Sequence, residues 1–149
     1  MSFVLDKQGN YLQVFGETSG GGGGSSNPWV GFESPVSVAS GVSYPFDDAD
    51  KEYDLSEILP DDESVYEVIF TGYCTTSLVA SAAVCLRIAT SIVPRTFMCF
   101  ARNSSLAELA QGAGSVILPV GTDRKVILPL NASYAGKVTL EVCGYKKVG

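Results

Sequence analysis

From residue 65 onward the apolar residues of this chain recur at every second position, and that period confines the body to β structure. Tyr66, Val68 and Phe70 alternate with Glu67, Ile69 and Thr71. Val84, Leu86 and Ile88 alternate with Cys85, Arg87 and Ala89, and Val138, Leu140 and Val142 with Thr139, Glu141 and Cys143. Successive strand residues point to opposite faces of a sheet, so such a period buries one face, whereas a helix repeats every 3.6 residues. Residues 97–101 form a compact aromatic run. Val116-Ile117-Leu118 and Val126-Ile127-Leu128 read as short apolar strands, stopped by Pro119 and Pro129 at strand ends or sheet edges. One short helix is expected at residues 106–110, with Ser105 as its cap, Glu108 completing a capping box and Gly112 ending it. The alanine-rich residues 79–84 are read as strand. Short strands separated by turn signals, with no repeat of 20–50 residues, predict an all-β antiparallel sandwich of jelly-roll type.

Ahead of this body stand five consecutive glycines, residues 20–24, followed by Ser25 and Ser26. Such a run has too high an entropic cost to be held in a helix or strand. The chain therefore divides into an N-terminal anchor segment (1–19), a Gly/Ser linker (20–26) and a β-sandwich domain (27–149). The linker's rms reach is roughly 15 Å. Phe3-Val4-Leu5 and Tyr11-Leu12-Gln13-Val14-Phe15 flank a turn-like Asp6-Lys7-Gln8-Gly9-Asn10 and predict a hairpin. A lone hairpin is marginal in water. Phe3, Leu5, Tyr11, Val14 and Phe15 are expected to bind a partner surface: the body, another copy or a different protein. Trp29 and Phe32, just past the linker, are also expected to pack, on the body or elsewhere.

Composition bears on partners. Charged residues make up 17% of the 149, against about a quarter in an ordinary domain, and hydrophobic residues 46%. So few charges leave apolar surface to be covered, which points to buried contacts between subunits. The net charge of −6, with no cluster of Lys and Arg, argues against nucleic acid and anionic membranes. No stretch has the form of a secretory signal or a membrane-spanning helix, so the expectation is a soluble chain made in a cytosol. Cys74, Cys85, Cys99 and Cys143 form no CxxC pair, and with no His in the chain a zinc site is not expected. They are expected to be reduced and buried as small hydrophobes.

Nine of the sixteen carboxylates fall between Asp47 and Glu63, opposed by Lys51. The alternation of Asp48, Asp50, Glu52 and Asp54 suits calcium. However, an EF-hand loop needs Gly at its sixth position and Glu at its twelfth, where Tyr53 and Leu59 stand. A solvated acidic loop with unperturbed carboxyls is the expectation, and no cofactor is implied. Without His the usual general base is missing, and solvated acids do not supply tuned pKa values, so no enzyme is expected. The glycine run lacks the Gly-Lys-Ser/Thr ending of a phosphate loop. Asn103 and Asn131 head glycosylation-type triplets to which no role is given. The aromatic residues Trp29, Tyr44, Tyr73 and Tyr134 are the candidates for stacking on a glycan or contacting a partner.

Two stretches carry a resemblance. One is Tyr53-Asp54-Leu55-Ser56-Glu57-Ile58-Leu59-Pro60-Asp61-Asp62 with Tyr66-Glu67-Val68; the other runs from Leu118-Pro119-Val120-Gly121 to Gly144-Tyr145-Lys146-Lys147-Val148-Gly149. Over roughly residues 53–149 the body resembles small virion proteins of tailed bacteriophages, especially head-fibre and tail-fibre display domains. The resemblance implies a capsid- or tail-binding N-terminal segment, a Gly-rich linker and a β domain that assembles as a homotrimer and is displayed on the virion. The chain has no coiled-coil heptads or collagen-like repeat, so a short knob or decoration protein fits better than a long shaft. The alternative is a carbohydrate-binding or host-adhesion module.

Overall fold

The structure, a computed structural model, describes residues 3–5, 11–13, 29–44, 49–77, 82–103, 109–130 and 136–148, the first two stretches as backbone. Among the described residues ten strands follow in chain order: β1 (Phe3–Leu5), β2 (Tyr11–Gln13), β3 (Val30–Tyr44), β4 (Lys51–Asp54), β5 (Tyr66–Thr76), β6 (Ala83–Thr90), β7 (Thr96–Arg102), β8 (Gln111–Val120), β9 (Lys125–Leu128) and β10 (Gly136–Lys147). β1 and β2 form an antiparallel hairpin. The other eight form two four-stranded sheets, ordered β3-β10-β5-β8 and β4-β9-β6-β7. All the pairings are antiparallel. This alternation of strands between two sheets is the winding of a jelly roll.

The alternation seen in the sequence defines the interior. Val68 and Phe70 of β5, Val84, Leu86 and Ile88 of β6, and Val138, Leu140 and Val142 of β10 are all buried in one cluster. Their alternates face outward. β7 departs from period two. Leu86 pairs with Cys99 and Arg87 with Phe97, so Met98 is an extra residue in a bulge. Met98 and Cys99 both enter the core, and Phe97 and Phe100 come to lie on the outer face.

The two sheets close on each other along one side. A Cβ at Gly112 would overlap the carbonyl oxygen of Phe100, and one at Gly114 that of Met98. Only glycine lets β8 approach β7 so closely, and the edges of the two sheets cover each other there. On the other side β3 is a long edge strand. Its pairing with β10 has three register shifts, irregularities that discourage pairing with foreign strands. β2 comes within 8 Å of β3, Cα to Cα.

Several sequence readings change. Residues 30–44 read as no strand, yet they form the longest one. Part of the acidic stretch is β4, and Leu55 and Leu59 beyond it are buried. Pro119 does not stop its strand, since β8 continues to Val120, but it does mark a sheet edge, as the other half of that reading has it, and an edge strand tolerates a residue without an N–H. Pro129 does follow the end of β9. The helix expected at 106–110 falls largely on residues outside those described, while Leu109 and Ala110 belong to no helix. Of the strand expected at 79–84, residues 83 and 84 lie in β6.

Candidate functional site

The most heavily bonded polar group in the described chain is Arg124, in the turn between β8 and β9. Its side chain is buried among backbone oxygens. Nη1 donates to the carbonyls of Ser64 at 2.7 Å and Gly121 at 3.0 Å. Nη2 donates to the carbonyls of Pro60 at 2.8 Å and Asp62 at 2.6 Å, and to Asp62 Oδ1 at 3.1 Å. The guanidinium lies 5.0 Å from the centre of the Tyr66 ring, whose hydroxyl donates to Asp62 Oδ2 at 2.8 Å. Arg124 thus fastens residues 60–64 to the sandwich.

This corrects the expectation of unperturbed acids. The backbone N–H of Ser64, followed by the Tyr66 hydroxyl, holds the Asp62 carboxyl down at about 2. Asp54 is also lowered, chiefly by the Ser56 hydroxyl and then by the Ser56 backbone N–H. Glu52 pairs with Lys125 across the β4–β9 ladder at 3.0 Å. Asp50 accepts from the N–H of Leu130 at 2.6 Å. Among the described residues no group of three or more acids or cysteines is arranged to hold a metal. Asp50, Glu52, Asp54 and Asp62 are engaged in turns and strand pairing, and the Arg124 centre works as a structural clasp.

The outer faces differ from this clasp. On the β4-β9-β6-β7 sheet, Phe97 is opposite Arg87 and Phe100 opposite Cys85. Phe97 is 59% exposed and Phe100 45%, and Ile92 in the turn before β7 is 49% exposed. Large aromatic rings held on a rigid strand suit a contact between macromolecules. Sequence reading found the aromatic run but could not orient it, because the Met98 bulge breaks the alternation.

The other outer face is partly covered by the chain itself. Trp29 packs there with Ile69 and Cys143, and Lys146 Nζ lies 5.1 Å from the centre of its ring. Lys146 also pairs with Glu67 at 2.9 Å. Trp29 therefore folds onto its own body, and so does Phe32, whose ring is 5.9 Å from that of Tyr145.

The aromatic candidates are thus separated. Trp29 and Tyr44 are buried, which removes them as stacking surfaces; burial raises the Tyr44 pKa, and its hydroxyl donates to the carbonyl of Pro129. Tyr73 is 44% exposed beside a shallow groove of about 450 Å³ that it lines with Gln111 and Ala113. Tyr134 lies outside the described residues. Of the anchor candidates, Phe3 and Leu5 are placed by backbone in β1 and Tyr11 in β2, while Val14 and Phe15 lie outside the described residues.

All four cysteines are free and buried, as expected of small hydrophobes. Cys85 and Cys143 belong to the outward sets of β6 and β10. Cys74 and Cys99 face each other across the interior. The Cys99 thiol donates to Cys74 Sγ at 3.4 Å, which lowers the Cys74 pKa and raises that of Cys99.

Compared with known proteins, the chain matches no family model, and no curated protein aligns with it.

Proposed function

We propose that this chain is a structural virion protein of a tailed phage, a head-fibre, decoration or knob component. Its N-terminal segment attaches it to a capsid or tail protein, and its jelly roll is displayed as an oligomer, a homotrimer in the first instance. The observation that carries this reading is the division of labour along the chain. A hairpin of two three-residue strands is joined through five successive glycines to a domain with a complete core of its own. A segment that size borrows apolar surface from a neighbour. The resemblance of residues 53–149 to phage virion proteins supports the assignment, as does the exposed pair Phe97 and Phe100 as a subunit contact.

The attachment test is removal of residues 1–19. The truncated protein is expected to keep its fold and oligomeric state and to lose co-sedimentation with phage particles; normal incorporation would refute the anchor. Light scattering tests the body, with a trimer mass expected and a monomer at micromolar concentration counting against subunit packing.

A second reading, glycan or host-surface binding, is favoured by Tyr73 beside its groove. Binding on a glycan array that is lost in Tyr73→Ala would support it, and a flat response would leave the structural role.

A further inference from the structure

Stacked sheets ordinarily stand about 10 Å apart, so two cysteines on facing strands reach bonding geometry only where their Cα atoms come within about 7 Å. Along the β7–β8 side three glycines narrow that spacing. A Cβ at Gly72 would sit 2.6 Å from Leu86 Cδ2, and those at Gly112 and Gly114 would collide with the β7 backbone. β5 and β7, from opposite sheets, come within 8 Å Cα to Cα. In this narrowed zone lie Cys74 of β5 and Cys99 of β7, each at most 3% exposed, with sulfurs 3.4 Å apart. The other two cysteines belong to outward sets and face away from the interior.

We propose that Cys74 and Cys99 are a covalent cross-linking site, forming a disulfide that ties the two sheets together when the protein meets a low-molecular-weight disulfide such as oxidised glutathione. Closing the contact to a bond of about 2.05 Å takes roughly 1.4 Å of shared side-chain movement. The chemistry is two successive exchanges. The Cys74 thiolate attacks a glutathione sulfur, forming a mixed disulfide and releasing one glutathione thiolate. The Cys99 thiolate then attacks the Cys74 sulfur and releases the second. Two cysteine thiols are oxidised to one disulfide, one glutathione disulfide is reduced to two thiols, and the cysteine protons end on the glutathione. Because Cys99 donates its proton toward Cys74, Cys74 is the sulfur that attacks first. Burial confines the reaction to folding or to local opening of the sheet edge. In a reducing cytosol the pair stays as thiols, and in an oxidising exterior the bridge forms.

The test unfolds the full-length protein in urea and refolds it with excess oxidised glutathione, followed by alkylation and peptide mass mapping. The expected product is 2 Da lighter, keeps Cys85 and Cys143 alkylatable, and yields one cross-linked peptide pair through Cys74 and Cys99. Its melting temperature is expected to exceed that of the same sample treated with dithiothreitol by roughly 5–10 °C. Four reactive thiols, a bridge between any other pair, or no rise in melting temperature would overturn the proposal. Should refolding fail, the same thiol count is made on never-unfolded protein after prolonged incubation with oxidised glutathione, read by the same outcomes. Cys99→Ser is expected to abolish the cross-link and the thermal shift together.

Discussion

Arg124 holds a backbone φ of 56°, a left-handed conformation that a non-glycine residue adopts at some cost. Its guanidinium offsets that cost by satisfying four carbonyls and one carboxylate. Arg124→Met would relieve no strain and would leave buried oxygens without donors. Its expected effect is a loss of about 3–5 kcal/mol in urea unfolding. Arg124→Lys is expected to restore little, since one ammonium cannot reproduce a planar fork. The same clasp sets an acid limit. Asp62 has a folded-state pKa of about 2 against an ordinary 3.8. A depressed carboxyl favours the fold above its unfolded pKa, and that contribution fades as pH falls through the window from about 4 to about 2. Asp62→Asn is expected to flatten the pH dependence of stability in that window, measured by thermal melts in a pH series. An unchanged profile would show that Asp62 is not the sensor.

At the scale of the strand, the bulge at Met98 decides which way β7 presents its rings. The double variant Phe97→Ser, Phe100→Ser is expected to lower unfolding free energy by no more than about 2–3 kcal/mol, because about half of each ring is already exposed. It is expected to shift the oligomer toward monomer in sedimentation velocity if that face packs subunits; an unaltered mass would move the contact elsewhere. The same bulge marks the reach of sequence reading. β5, β6 and β10 were legible because their alternation is intact and each buries one clean face. β3 was not, because Gly31, Pro35 and Gly41 look like turn residues and three register shifts scramble its period. β4 was hidden by its own charges, as Lys51, Glu52 and Asp54 leave only the Tyr53 ring to betray a half-buried strand. The Arg124 clasp left no local signal, since its partners Pro60, Asp62 and Ser64 come from about 60 residues earlier in the chain. Of the residues singled out for glycan contact, Tyr73 proved exposed, whereas Trp29 and Tyr44 went inside because pairing brought them against Ile69 and the Pro129 carbonyl.

Across the whole molecule, the three glycines that press β5 and β8 against β7 make the sandwich a wedge. Its tight margin behaves like the spine of a book, and the pages part most easily at the opposite margin, where β3 and the four-residue β4 are the last strands of their sheets. Thermal breathing should therefore be lopsided. Amide hydrogen exchange is expected to be slowest in the paired amides of β5 and of β6 opposite β7, and faster by at least about tenfold along β3 and β4, with uniform protection counting against the hinge. Because the hairpin is joined to the chain just ahead of β3, a tug on the first residues would be delivered to the leaf that lifts first. Under mechanical load the domain would give way from its attached margin while the bound spine stayed shut.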